Sequence, residues 1–282
     1  MNINNYVRDC LREDIGRGDI TTDLLIPANS FSEARIIVRE AAVVCGIAIA
    51  KNIFKKTDPR SNFKIILRDG ARARQGAMIA LIKGKTRAIL TAERVALNFI
   101  AHLSGIATLT RQFADAIKGT RAKILDTRKT TPGFRTLEKY AVRCGGGHNH
   151  RSSLDEMILI KDNHLSSVAG RWSIPEAVTR VKHNTRKSVE VEVDTFAQFT
   201  QALNSGTDMI LLDNMKTPEI LRCVRLRNQR GRRPLLEASG GIRLDNVRAV
   251  AKTGVDRISI GALTHSAPAV DFSLEILRSW TK

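Results

Sequence analysis

Apolar residues at the start of the chain recur at helical spacing. Ile3, Tyr6, Val7, Cys10 and Leu11 predict an amphipathic helix that Gly16 and Gly18 end. The next stretches, residues 34–39, 63–67, 78–82 and 86–90, predict extended segments, with Asp69-Gly70 and Lys83-Gly84 as turns between them. Helical spacing returns over residues 91–103 and 106–117, with a break at Ser104-Gly105 where a domain boundary is expected.

Beyond that point the texture changes. Short apolar runs at residues 122–126, 157–161, 189–193, 209–213, 235–239 and 257–261 each end in a polar residue or glycine. Helical patterns lie between several of them, at 174–182, 196–203, 218–226 and 244–251. Alternating strand and helix predicts parallel β/α architecture, and six runs with no G-x-G-x-x-G after the first favour a barrel over a dinucleotide-binding sheet. Active sites of β/α barrels gather at the C-terminal ends of the strands. The residues ending these runs are therefore expected to converge: Asp126 with Arg128 and Lys129, then Lys161, Glu192, Asp213, Ser239-Gly240-Gly241 and Gly261.

Composition adds a sign to this picture. The 282 residues are 43% hydrophobic and 26% charged, ordinary for a globular chain, but 46 Lys and Arg against 28 Asp and Glu give +18. Such a field attracts polyanions. The excess is concentrated: residues 121–151 hold eight basic and two acidic side chains, and residues 222–233 hold six basic and none acidic. Aromatic residues are only 5%, and no base-reading motif accompanies the cations, so nucleic acid is not an expected partner. Cys10, Cys45, Cys144 and Cys223 are scattered without metal or disulfide spacing, which points to a reduced, cytoplasmic protein. The longest apolar run, residues 41–50, is about half the roughly 20 residues that span a bilayer, and Asp9, Glu13 and Asp14 stand where a signal peptide is apolar. No membrane association is expected.

The candidate chemistry lies in the loops. Thr127, Arg128 and Lys129 follow one strand, and His148, His150 and Arg151 follow a glycine run, together offering an anion site; the alternative is a pair of solvated connectors. His148 and His150 near Cys144 supply too few ligands for zinc. Lys161 ends a strand, where a neighbouring carboxylate would keep it charged, or it simply begins a surface loop. In Val189-Glu190-Val191-Glu192-Val193 the period of two turns both glutamates to one face, inward if the valines lie under helices. Glu192 and Asp213 suit Mg²⁺, held through water, and sugar hydroxyls, or they pair with the barrel cations. Ser239, Gly240 and Gly241, and Gly261, Ala262 and Leu263, follow the last two strands, where such barrels bind phosphate; plain turns are the alternative. Periodicity makes Arg94 a helix-surface residue, and makes 222–233 a solvated face or oligomer contact.

Taken in order, the motifs resemble one family. Gly18-Asp19-Ile20-Thr21-Thr22, Glu93-Arg94-Val95-Ala96-Leu97-Asn98, Ser104-Gly105-Ile106-Ala107-Thr108, the stretch 126–135, Glu138-Lys139-Tyr140-Ala141-Val142-Arg143-Cys144 with its three glycines, Asn149-His150-Arg151, Leu159-Ile160-Lys161-Asp162-Asn163-His164, Glu190-Val191-Glu192-Val193, Leu212-Asp213-Asn214-Met215, Glu237-Ala238-Ser239-Gly240-Gly241-Ile242 and Gly261-Ala262-Leu263-Thr264-His265-Ser266 are similar to quinolinate phosphoribosyltransferase, nearly end to end. The resemblance implies an N-terminal α/β sandwich domain (1–104, with 266–282 returning to it as a helix) and an incomplete, seven-stranded β/α barrel (105–265). It implies a homodimer in which one subunit's sandwich domain caps the other's barrel and supplies Arg94. Thr127, Arg128, His150, Arg151 and Lys161 match the quinolinate-binding positions. Lys129, Glu192, Asp213, Ser239–Gly241 and Gly261–Leu263 match those holding phosphoribosyl pyrophosphate and Mg²⁺, with Lys129, Lys161, Glu192 and Asp213 as the catalytic set. The alternatives are a molybdenum-transport-associated relative of the same fold, a phosphoribosyltransferase for another pyridine acid and, remotely, a basic nucleic-acid-binding protein.

Overall fold

The computed structural model describes residues 3–167, 172–231 and 233–281. It divides into two compact units.

The first unit comprises Met1–Arg111, Thr131–Gly146 and Ser266–Lys282. Its antiparallel sheet runs in the order Phe272–Thr281, Ser30–Val38, Met78–Lys85, Asn62–Ile65. The C-terminal segment, expected to be a helix, is thus a strand. Ser30–Val38 would otherwise present an open edge, and the pairing covers it, with Arg35 on Glu275 at 2.8 Å and Arg278 on Glu33 at 2.6 Å across the ladder. Lys83-Gly84 is likewise no turn, because both residues pair inside Met78–Lys85, opposite Asn62 and Ser32.

Residues 86–90, expected to be extended, open the helix Thr86–Ala116, which passes Ser104-Gly105 without a break. Thr86, Ile89, Ala92, Val95 and Ala96 are buried at helical spacing, and the Thr86 hydroxyl bonds that of Ser32 at 2.7 Å. Gly105 has a packing role. A Cβ there would lie 2.1 Å from the Pro268 carbonyl oxygen, so only glycine lets that segment touch the helix.

The second unit comprises Gln112–Thr130 and Gly147–His265. Its parallel sheet is ordered Lys123–Leu125, Arg257–Ser259, Leu235–Ser239, Met209–Asp213, Val189–Val193, Ile158–Ile160. Each strand falls on one of the six apolar runs. The seventh position is reduced to one parallel bridge at His148, which exchanges hydrogen bonds with Ile124 and Asp126 at 2.8 and 3.1 Å. Helices Ile174–Asn184, Phe196–Asn204, Thr217–Asn228 and Val247–Lys252 connect the strands. Val189, Val191, Val193, Ile210, Leu212, Leu236, Ala238 and Ile258 are fully or almost fully buried. At about 25 cal/mol per Å² of apolar surface, such runs are the main cohesive contribution of the unit.

The basic segment 222–233 is only partly a solvated face. Arg225, Arg230 and Arg233 are exposed and Arg222 lies over the Phe196 ring, 3.6 Å from its centroid. Arg227 is completely buried, bonding Asp256 at 2.6 Å, Asn228 at 2.9 Å and the Pro234 carbonyl at 3.1 Å. Arg232 lies outside the described residues. Among the described residues no helix is long and apolar enough to cross a membrane, and all four cysteines are free.

Candidate active site

The strand ends of the second unit enclose a cavity of about 650 Å³. Thr127, Arg128, Lys129, His150, Arg151, Lys161, Glu192, Asp213, Ser239, Gly240, Gly241, Gly261 and Ala262 line it, so nearly every residue singled out from the sequence converges here. Leu263 does not line it; its side chain is fully buried. Arg94 is exposed on helix Thr86–Ala116 in the first unit and is not among the lining residues.

Strand register explains the polar contacts. Ile160 pairs with Val191, so Lys161, one residue past its strand, arrives level with Glu192, and its Nζ donates to Glu192 Oε2 at 2.6 Å. Glu192 pairs with Leu211, which sets Asp213 two residues further along the next strand; Asp213 accepts from the Asn214 amide at 2.7 Å. Both carboxylates are partly exposed to the cavity. Such hard oxygen donors are of the kind that Mg²⁺ accepts. Asn214 in turn fixes the next loop, where Gly240 has a φ of +87° and a Cβ would sit 2.1 Å from the Asn214 Oδ1. No other residue fits there, and the backbone of Gly240 and Gly241 lines the cavity.

The cationic side is built by Asp126. Instead of joining the cavity it is fully buried and ties down the loop after the glycine run, accepting from Asn149 and from the His150 amide at 2.9 Å. Arg151 donates to the Met157 carbonyl at 2.9 Å. Burial first, and the neighbouring Arg128 guanidinium second, disfavour the charged form of Arg151. Two guanidiniums that raise each other's energy are relieved by an anion placed between them.

His150 is engaged on both ring nitrogens. Nδ1 accepts from the Arg151 amide at 2.8 Å, and Nε2 lies 3.0 Å from Glu190 and 3.5 Å from Glu237. Both glutamates are completely buried, and Glu190 Oε1 and the Glu237 oxygens have no hydrogen bond within normal distance. Burial, then the charge of Glu190, push the Glu237 carboxyl up to about 7, against the opposing pull of His150.

Four polar lining residues escaped the sequence reading: Glu237, Arg243, Ser259 and His265. The signal for two of them was present. The alternation that turns Glu190 and Glu192 inward also aligns Glu237 with Ser239 and Ser259 with Gly261. Arg243 and His265 sit on loop and helix ends, where no period identifies them.

Comparison with known proteins matches residues 19–104 to the quinolinate phosphoribosyl transferase N-terminal domain and residues 106–275 to its C-terminal domain. The nicotinate-nucleotide pyrophosphorylase (carboxylating) of Mycobacterium leprae is 40% identical over 274 residues, covering 96% of this chain and 95% of the relative. The quinolinate phosphoribosyltransferase (decarboxylating) 1b of Nicotiana tabacum is 39% identical over 292 residues, covering 97% and 82%. Among solved structures, the nicotinate-nucleotide pyrophosphorylase of Francisella tularensis superimposes with a TM-score of 0.92 at 41% identity, over 97% of this chain and 95% of that one.

Proposed function

The chain belongs to the quinolinate phosphoribosyltransferase family, and on that premise we propose that it transfers the phosphoribosyl group of phosphoribosyl pyrophosphate to quinolinate with decarboxylation. The products are nicotinate mononucleotide, pyrophosphate and CO₂, a step of NAD synthesis. The observation that carries this reading is the meeting of Arg128, Arg151, Lys129 and Lys161 with Glu192 and Asp213 in one cavity. Both substrates are polyanions, and a cavity lined by these cations attracts them.

Arg128 and Arg151 grip the pyridine carboxylates, and Lys161, held by Glu192, reaches the same ring. Lys129 and the amides of Ser239–Gly241, Gly261 and Ala262 take the phosphates. The ring nitrogen attacks the anomeric carbon as pyrophosphate leaves. Positive charge develops on the sugar, and Glu192 and Asp213 steady it electrostatically. As the adjacent carboxylate departs as CO₂, the electron pair of the broken bond stays on that ring carbon, steadied by the neighbouring quaternised nitrogen, and the carbon then takes up a proton with it. No side chain forms a covalent bond. Mg²⁺, when bound at Glu192 and Asp213 through water, would offset the charge on the leaving pyrophosphate.

Arg94, exposed on its helix, fits a site completed by a second copy of the chain, which makes a homodimer part of the proposal. Four free thiols support a cytoplasmic setting. The experiment is direct: quinolinate, phosphoribosyl pyrophosphate and Mg²⁺ are supplied and nicotinate mononucleotide is sought. No product from quinolinate, alongside turnover of nicotinate, contradicts the assignment. Mixing Arg94→Ala with Lys161→Ala subunits, each inactive alone, restores activity if sites are shared; no recovery removes the dimer from the account.

A further inference from the structure

We propose that Glu237 is a positioning residue of this site: with Glu190 it forms a buried cradle that holds His150 by its Nε2 proton beneath the cavity, and Glu237 itself keeps a proton there. The inference rests on the functional reading above and deepens it at the pyridine end of the site.

Three observations carry it. Glu190, Glu237 and His150 bring potential ligand atoms within 4.8 Å of one another, and neither glutamate has any exposed surface. Two ionised carboxylates this close and this dry repel strongly, so either a cation or a proton must lie between them. The imidazole decides which. Its Nδ1 accepts a hydrogen bond from the Arg151 amide, so Nδ1 bears no proton, the ring is neutral, and Nε2 carries its one proton. A protonated Nε2 donates to Glu190 at 3.0 Å and cannot bind a metal. The group has the ligand set of a metal site and the hydrogen bonding of a proton-sharing one.

The surroundings fit. Glu237 pairs in register with Leu211 on one side and Arg257 on the other, and it faces His150 and Glu190 across the barrel. Among the described residues two cations bear on the pair: Arg257, which donates to the Met209 sulfur at 3.1 Å and, with the Ser259 hydroxyl, works against the rise of the Glu237 carboxyl, and Arg151, whose charge is felt by Glu190; neither overcomes the burial of Glu237. The carboxyl raised to about 7 is the one that retains the proton near neutrality. When that proton is lost, a second buried negative charge appears under a cavity that receives a dianion. The consequence is specific: affinity for the pyridine dicarboxylate, gripped beside His150 by Arg151, falls as pH rises through neutrality, whereas phosphoribosyl pyrophosphate, which His150 and Arg151 do not hold, is affected less.

The test measures KM for each substrate in the wild type, Glu237→Ala and Glu237→Gln, on both sides of neutrality. The wild type should show a quinolinate KM that climbs above neutrality. Glu237→Ala should raise it about tenfold below neutrality and show no further climb above it. Glu237→Gln, which keeps the shape and cannot ionise, should recover most of that loss and abolish the climb. Gln no better than Ala, a climb that persists in Gln, or equal changes in both KM values overturns the proposal. If the variants fail to fold, nitrogen NMR of labelled histidine in the wild type decides. An Nε2-protonated ring indifferent to chelator and to added Zn²⁺ or Mn²⁺ supports the cradle; an Nδ1-protonated ring, or one that shifts with metal, overturns it. A wild type inactive on quinolinate refutes the functional reading instead, and the NMR result still judges the cradle.

Discussion

Two buried ionic groups lie in the same unit and differ in how completely they are paired. Behind the sheet, Arg227 and Asp256 meet at 2.6 Å, and Asp256 also accepts from Arg121 at 2.9 Å and from the Leu236 amide at 2.9 Å. Asp256 there spends both oxygens on two arginines and a backbone amide. At the strand ends, Glu190, Glu237 and His150 hold two acids against one imidazole and leave three carboxylate oxygens without a normal hydrogen bond. The paired group stabilises architecture, as a register pin between helix Thr217–Asn228 and the strand neighbours. The under-paired group is costly to fold, and the cavity beside it gives the cost a use.

The sharpest way to break this comparison is at the cavity itself. Lys161→Ala should lower kcat/KM on the order of 10²–10³-fold while the melting temperature barely moves, since Lys161 is partly exposed and its partner Glu192 can turn to water. Arg227→Met should do the reverse, lowering stability by about 3 kcal/mol in urea unfolding because Asp256 loses its closest partner, with steady-state kinetics preserved. Kinetic loss in Arg227→Met without destabilisation would erase the distinction between the two groups.

A smaller effect separates them by pH. A carboxyl whose folded value is raised to about 7 from an ordinary 4.5 favours folding below its unfolded value, and that contribution is lost as pH rises through the folded one. Glu237→Gln should therefore gain stability relative to wild type on going from acid to neutral solution; a difference independent of pH would count against a retained proton. Least affected should be the exposed cations Arg225 and Arg230. Replacing both by Ser should change stability by about 0.5 kcal/mol or less and leave turnover intact, with any effect confined to salt-sensitive retention on polyanionic resins.

Much of this was legible in the chain. Apolar runs located all six parallel strands, because strands buried on both faces must be apolar and must end where the site begins. The antiparallel unit was harder. Phe272–Thr281 lacks a clean alternation, and nothing local announces that its partner is Ser30–Val38, some 240 residues earlier, as the Arg35–Glu275 pair records. Gly105 reads as a helix break because the sequence does not show the Pro268 carbonyl that requires it. Of the site, the strand-end residues are legible in the chain, whereas Asp126, which the same pattern places in the cavity, is fully buried instead. A buried acid that positions a loop and an exposed acid that meets substrate look alike until partners are known. Arg227 was hidden in the same way within a run of solvated arginines.

The central claim is that this cavity is built for two carboxylates on one pyridine ring. Its most direct test is the ratio of kcat/KM for quinolinate to that for nicotinate, each with phosphoribosyl pyrophosphate and Mg²⁺. The single carboxylate of nicotinate leaves part of the cluster Arg128, Arg151 and Lys161 unanswered, so the ratio should be on the order of 10³ or more in favour of quinolinate. A ratio near one, or a preference for nicotinate, would contradict the account.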